Sequence, residues 1–154
     1  MKNPTFEQDV ETLRSLLPTN DKEISVDFPQ YRGMTFKEFW EALPRKLEYF
    51  DYEEDIAHEL ECHRKKIWIK KATGLGVSEI FCRFIAWNCL KDDVWKNDQV
   101  DVSAVIITGA SQDLTNKIIG RIKNLFDLDF KTKESLVILN GCRIEAFPTM
   151  NLSP

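Results

Sequence analysis

The sequence lacks the features that mark membrane-spanning, secreted and zinc-ribbon proteins. No apolar run approaches the ~20 residues that a membrane-spanning helix needs, and the first residues show no signal-peptide pattern. The four cysteines have no C-x-x-C spacing, so we expect reduced, buried thiols in a cytoplasmic protein that makes no contact with a membrane. Hydrophobic residues make up 43% of the chain and charged residues 30%, which excludes a disordered or fibrous chain.

The charge is unevenly distributed along the chain. The whole sequence carries a net charge of −4, but residues 1–61 carry −8 and residues 62–154 carry +4. A protein that holds nucleic acid over its whole surface would be basic throughout. The acidic first part therefore disfavours a pocketless nucleic-acid adaptor and restricts any contact with nucleic acid to a local surface.

Helical patterns fill the first part of the chain. Apolar residues at helical spacing predict an amphipathic helix over 4–17, and a loop is predicted over 18–34. The capping box Thr35–Glu38 predicts the start of a second helix. A third helix is predicted from Asp51, because acidic residues crowd its first turn, where the helix dipole favours negative charge. We treat residues 1–48 as a helical lead segment.

From residue 66 onwards, strand patterns and helix patterns alternate. The predicted elements are strands over 67–69 and 102–108 and helices over 77–90 and 111–126. The second strand is nearly continuously apolar, which predicts that it is covered on both faces. Asn140-Gly141 between two β-like runs predicts a C-terminal β-hairpin. This order indicates an α/β fold with a partial sheet.

A glycine-containing loop lies between a predicted strand and a predicted helix. Such a junction can bind phosphate, because glycines let backbone N–H groups converge and the helix dipole favours an anion. In the usual pattern, G-x-x-x-x-G-K-S/T, Gly76 and Ser78 would fill the last glycine and the hydroxyl, whereas Val77 replaces the lysine. Lys71 at the front of the loop can supply the missing charge instead. The structural alternative is a tight turn in which Gly74 and Gly76 bind nothing.

This loop resembles the deviant Walker A loop of viral terminase large subunits, the ATPases of DNA-packaging motors, some of which carry the lysine at the front. The resemblance covers about residues 49–154. It implies a P-loop NTPase-like hydrolase that binds ATP and Mg²⁺ in the cytoplasm of a host cell. Duplex DNA and other packaging-motor subunits would be partners of the intact protein. The implied nucleotide-binding residues are Lys71, Ala72, Thr73, Gly74, Leu75, Gly76, Val77 and Ser78.

The resemblance also assigns roles and reveals two departures. It implies that Lys71 faces the β/γ-phosphates, that amides from Thr73 to Val77 bind phosphate and that Ser78 binds Mg²⁺. Glu53 stands where the family has an adenine-contacting glutamine. No apolar run ends in the Asp-Glu of a Walker B strand, which orients Mg²⁺ and activates water. We therefore expect residues 49–154 to be the front part of an ATPase domain that lacks the Walker B strand and the nuclease domain. No catalytic residues can be assigned in it, and we expect the chain alone not to hydrolyse ATP.

Other clusters have simpler explanations. His58, Cys62 and His63 do not supply the four ligands of a structural zinc site. The acidic residues of 51–61 are explained by a solvent-exposed helix face. The run of basic residues around Trp68 is explained by the positive charge favoured at a helix end and by a lysine at the phosphate site. That run comprises Arg64, Lys65, Lys66, Lys70 and Lys71. The competing hypothesis for the chain is a non-catalytic α/β interaction module that binds no nucleotide, which the missing Walker B strand favours.

Overall fold

One mixed sheet with packed helices organises the protein. The computed structural model describes residues 24–62, 66–71, 74–96, 102–127 and 133–149, so the helix expected over 4–17 lies outside them. The elements are β1 (Ser25–Val26), α1 (Phe36–Ala42), α2 (Asp51–Glu61), α3 (Val77–Leu90), β2 (Ala104–Thr108), α4 (Gln112–Asn124), β3 (Leu136–Leu139) and β4 (Cys142–Pro148). The strand order is β1–β3–β4–β2. Helices combined with this sheet confirm the α/β class.

The β-hairpin at the centre of the sheet forms as the sequence predicts. β3 and β4 are antiparallel, and Leu139 faces Cys142 across the turn. The two turn residues, Asn140 and Gly141, have φ values of 49° and 71°. Two positive φ angles match the twist of the strands in a two-residue turn, which explains the preference for Asn-Gly.

The outer strands pair in parallel with this hairpin. β2 lies beside β4, with Ala104 opposite Ile144, and β1 lies beside β3, with Ser25 opposite Ile138. The sequence analysis predicts a loop where β1 forms. Because β1 has only two residues, it offers no periodicity by which a sequence could reveal it.

The helix starts follow local capping signals. The hydroxyl of Thr35 accepts the N–H of Glu38 at 3.2 Å, and the Thr35 N–H donates to the Glu38 carboxylate at 2.9 Å. α2 begins at Asp51 and α3 at Val77, the positions that the acidic first turn and the periodicity predict. Among the described residues, no helix is sufficiently long and apolar to cross a membrane.

The core joins the first helix to α3. The ring of Phe36 lies 5.6 Å from that of Phe84, and the buried Arg83 guanidinium stacks 4.2 Å from the ring of Trp40. Arg83 also donates to the carbonyl of Arg45 at 3.1 Å and pairs with Glu79 at 3.0 Å. The described part of the predicted lead segment therefore shares a core with the later elements.

Two strand predictions need correction. Residues 66–71 contain no strand, and Trp68 is 95% exposed between the exposed Lys66 and Lys70. The predicted strand at 67–69 is therefore wrong, because a strand requires a hydrogen-bonded neighbour. β2 forms, but Val105 and Ile107 are 55% and 57% exposed. The prediction that this strand is covered on both faces is therefore also wrong.

Candidate phosphate-binding loop

Two glycines with positive φ shape the loop before α3. Gly74 has φ = 90° and Gly76 has φ = 68°, both in the left-handed region that favours glycine. α3 begins directly after Gly76, whose carbonyl accepts the N–H of Glu79 at 3.0 Å and that of Ile80 at 3.2 Å. The last glycine therefore ends the loop and starts the helix.

The first turn of α3 presents a serine hydroxyl to solvent. Ser78 is exposed, whereas Val77 is 5% exposed and packs in the core. A lysine in the place of Val77 would bury its ammonium group at a large cost, so this backbone does not suit the usual P-loop lysine. The N-cap residue, Gly76, has no side chain that could cap this helix end. The positive end of the helix dipole faces the loop.

The carboxylate in the same turn already has two partners. One Glu79 oxygen lies 3.0 Å from Nε of Arg83, and the other lies 3.6 Å from Nη1 of Arg121. Burial lowers the pKa of Arg83 from its usual value, and the hydrogen bond and charge of Glu79 oppose that shift. Glu79 therefore stabilises a buried cation and is not free to bind a ligand.

The predicted nucleotide-binding residues fall into three groups. Lys71 is exposed at the start of the loop, and Ala72 and Thr73 lie outside the described residues. The structure brings the other residues into one turn: Gly74, Leu75, Gly76, Val77 and Ser78. With its side chain in the core, Val77 can contribute only backbone groups to a ligand.

One contact to the loop has no counterpart in the sequence predictions. The hydroxyl of Tyr52 donates a 2.9 Å hydrogen bond to the carbonyl of Leu75. The rings of Phe50 and Tyr52 stack, with centroids 5.9 Å and planes 9° apart, and both are partly exposed. The partners are 23 positions apart, so no local pattern reveals the bond. The only signal in the sequence is an aromatic pair at the start of an acidic helix.

Glu53, which the resemblance to terminases would align with an adenine-contacting glutamine, bonds within its own helix. Its side chain is 5% exposed, and one of its oxygens accepts the N–H of Phe50 at 2.9 Å. Burial raises the pKa of Glu53, while the Phe50 hydrogen bond, the Arg83 charge and a side-chain hydrogen bond with Tyr52 oppose the shift. Glu53 therefore caps α2 and is not presented to a base beside the loop.

An apolar cleft opens beside Ser78, between α3, α4 and β2. Its volume is about 440 Å³, and its apolar lining includes Phe81, Ile85, Val105, Ile107, Leu114 and Ile118. Cys82 also lines the cleft, and burial raises its pKa to about 12. The Cys82 thiol therefore stays protonated at neutral pH and is not a nucleophile. The cleft suits apolar groups, and its hydroxyl-bearing lining residues are Ser78 and Thr108, of which Thr108 already bonds to Thr115.

The remaining titratable clusters form no site in the described residues. His58 Nε2 and Cys62 Sγ are 3.9 Å apart at an exposed position, and His63 lies outside the described part of the chain. No three His, Cys, Asp or Glu side chains converge there as metal ligands would. Cys62 is exposed while the other cysteines are buried, so the expectation of four buried thiols is wrong. Cys62 ends α2 at the protein surface, where nothing buries it.

Comparison of the chain with protein-family models, with curated proteins and with solved structures gave no match. The resemblance to terminase large subunits therefore rests on the residues of the loop and on the pattern of the following elements. The function has to be inferred from the geometry and chemistry of the loop.

Proposed function

We propose that this chain is the ATP-binding N-terminal portion of a terminase-like viral DNA-packaging motor ATPase. The junction at Gly76 supports this proposal most directly. A glycine with φ = 68° ends the loop, α3 begins at the next residue, and Ser78 is exposed in its first turn. Backbone N–H groups around such a junction can converge on phosphate oxygens, and the helix dipole favours their negative charge.

In this proposal each polar group of the loop has one task. The amides from Thr73 to Val77 bind phosphate oxygens, and Lys71 neutralises the β/γ charge. The Ser78 hydroxyl holds Mg²⁺ together with the phosphates, which fits a metal that takes few protein ligands at nucleotide sites. Glu79 adds no ligand, because two arginines engage its oxygens. The bound Mg²⁺ would neutralise part of the phosphate charge.

The outer edge of β2 supports the same proposal. Among the described residues this edge pairs with no strand, and the side chains of Val105 and Ile107 are more than half exposed. Exposed apolar side chains on an unpaired edge favour the addition of further structure. The Walker B strand that the resemblance implies is an apolar strand of this kind. In the intact motor, we expect the Walker B strand to join the sheet beside β2. Duplex DNA and other motor subunits would be the partners.

Calorimetric titration with ATP-Mg²⁺ tests the proposal, with two glycine variants as a matched pair. Gly76→Ala forces a Cβ into a left-handed backbone, which costs about 1–2 kcal/mol, so we expect ATP binding to weaken roughly tenfold. Gly120 lies within α4 with open space around its Cβ position and no positive φ. Gly120→Ala should leave binding unchanged. Absence of binding by the unaltered chain would contradict the proposal.

A second candidate function is a non-catalytic α/β interaction module. The exposure of Trp68, at 95%, and of the β2 side chains Val105 and Ile107 favours it, because large exposed apolar groups mark interaction surfaces. This function predicts no heat on titration with ATP-Mg²⁺. It also predicts self-association in sedimentation experiments that Ile107→Lys abolishes. If the chain binds ATP and Gly76→Ala weakens that binding, the hypothesis of a module without bound nucleotide is excluded.

A further inference from the structure

Among the described residues, one side chain holds the glycine loop from outside. The Tyr52 hydroxyl donates to the carbonyl of Leu75 at 2.9 Å. Among the described residues, chain neighbours aside, no atom lies within 4 Å of the place where a Cβ on Gly74 or Gly76 would stand. The other hydrogen bonds of Gly74–Gly76 in the described structure run to Gly76 from the first turn of α3. In the described structure, the Tyr52 hydroxyl is thus the side-chain group that holds the Leu75–Gly76 peptide.

We propose that Tyr52 is a positioning residue for the phosphate-binding loop. The Leu75–Gly76 peptide unit is planar and trans, so its C=O and N–H groups point in opposite directions. When the Tyr52 hydroxyl holds the carbonyl, the Gly76 N–H is directed to the opposite side, where it can donate to an anion. The identity of that anion as the phosphates of ATP rests on the proposed function. The hydrogen bond from Tyr52 to Leu75, which we call the tether, does not.

The Tyr52 side chain starts from a rigid position. It lies in the first turn of α2, where the Glu53 carboxylate accepts the Phe50 N–H at 2.9 Å. The Phe50 ring, stacked 5.9 Å away, restricts the Tyr52 ring further. The loop contains two glycines, Gly74 and Gly76, and glycine loses more conformational freedom on ordering than any other residue. A tether that orders the loop before a ligand arrives reduces the entropy lost on binding.

Backbone ¹⁵N relaxation of the full chain without ligand tests the tether. We expect the order parameter of the Gly76 N–H to fall in Tyr52→Phe from about 0.85 to below about 0.6. Replacing Tyr52 by 4-aminophenylalanine, which keeps a donor at the same place, should restore it. Phe50→Leu, which removes the stacked ring but keeps the hydroxyl, should have a smaller effect. Since Tyr52 is partly exposed, all these variants should fold.

Titration of the same variants with ATP-Mg²⁺ tests the consequence for binding. One neutral hydrogen bond predicts roughly three- to tenfold weaker binding in Tyr52→Phe, rescued by 4-aminophenylalanine. An unchanged Gly76 order parameter in Tyr52→Phe overturns the inference, and so does a loosened loop that binds ATP as tightly as before. If the unaltered chain binds no ATP, the proposed function fails, and a loosened loop in Tyr52→Phe still supports the positioning role.

Discussion

At the scale of single residues, the two lysines before the loop give a direct test of which charge serves the phosphates. Both lysines are exposed, and Lys71 is the nearer of the two to the glycines, so the proposed function assigns the phosphate charge to Lys71. We expect Lys71→Ala to weaken ATP-Mg²⁺ binding more than Lys70→Ala in calorimetric titrations. Equal losses would indicate a diffuse effect of charge and contradict the role of Lys71.

Asn140 is the residue on which the hairpin and the end of α3 depend together. It is 4% exposed with φ = 49°, and its side-chain amide donates to the Cys89 carbonyl at 3.1 Å and to the Asp93 carboxylate at 2.9 Å. Asn140→Ala loses these bonds, at about 1–3 kcal/mol. It also strains the backbone, at about 1–2 kcal/mol. We expect the free energy of unfolding in urea to fall by about 2–5 kcal/mol.

Asn140→Gly is the control that separates the two causes. Glycine tolerates the positive φ but makes no side-chain hydrogen bond, so it should recover about 1 kcal/mol of the loss in Asn140→Ala. If glycine recovers nothing, the backbone contribution is negligible. If glycine recovers everything, the buried hydrogen bonds of the amide do not stabilise the protein.

At the scale of elements, neighbouring residues of β2 have opposite environments. Ile107 is 57% exposed, whereas Ile106 packs against the core. Ile107→Lys should change stability by no more than about 0.5 kcal/mol and reduce light scattering at high concentration, because a charge protects an open strand edge. Ile106→Lys should cost about 1–3 kcal/mol in thermal unfolding, because it places a charge at a partly buried position against the core. Equal destabilisation would show that Ile107 is covered in solution.

At the scale of the whole molecule, we expect binding of ATP without motor-like turnover. Phosphoryl transfer needs a positioned water, a second hold on the metal and often an arginine finger worth about 10³–10⁵ in rate. The sequence has no apolar run that ends in Asp-Glu, and Arg121 is engaged with Glu79. A phosphate-release assay should detect weak or no hydrolysis, with or without DNA. DNA-stimulated turnover that Ser78→Ala abolishes would reveal an unrecognised catalytic acid.

The sequence by itself determined the elements whose causes are local. The capping box at Thr35, the acidic turn at Asp51 and the Asn140-Gly141 turn each act within a few residues, and each forms where it is predicted. The need for glycine at positions 74 and 76 has the same local origin in a positive φ. Both glycines have positive φ, and α3 begins at Val77 as predicted.

Only the tertiary structure decided what depends on distant partners. β1 exists because β3 lies beside it, and residues 67–69 form no strand because none of the described residues pairs with them. The bond from Tyr52 to Leu75 and the burial of Arg83 beneath Trp40 join residues 23 and 43 positions apart. Strand pairing, burial and side-chain tethers are set by which surfaces meet when the chain folds, and no short stretch of sequence contains both surfaces.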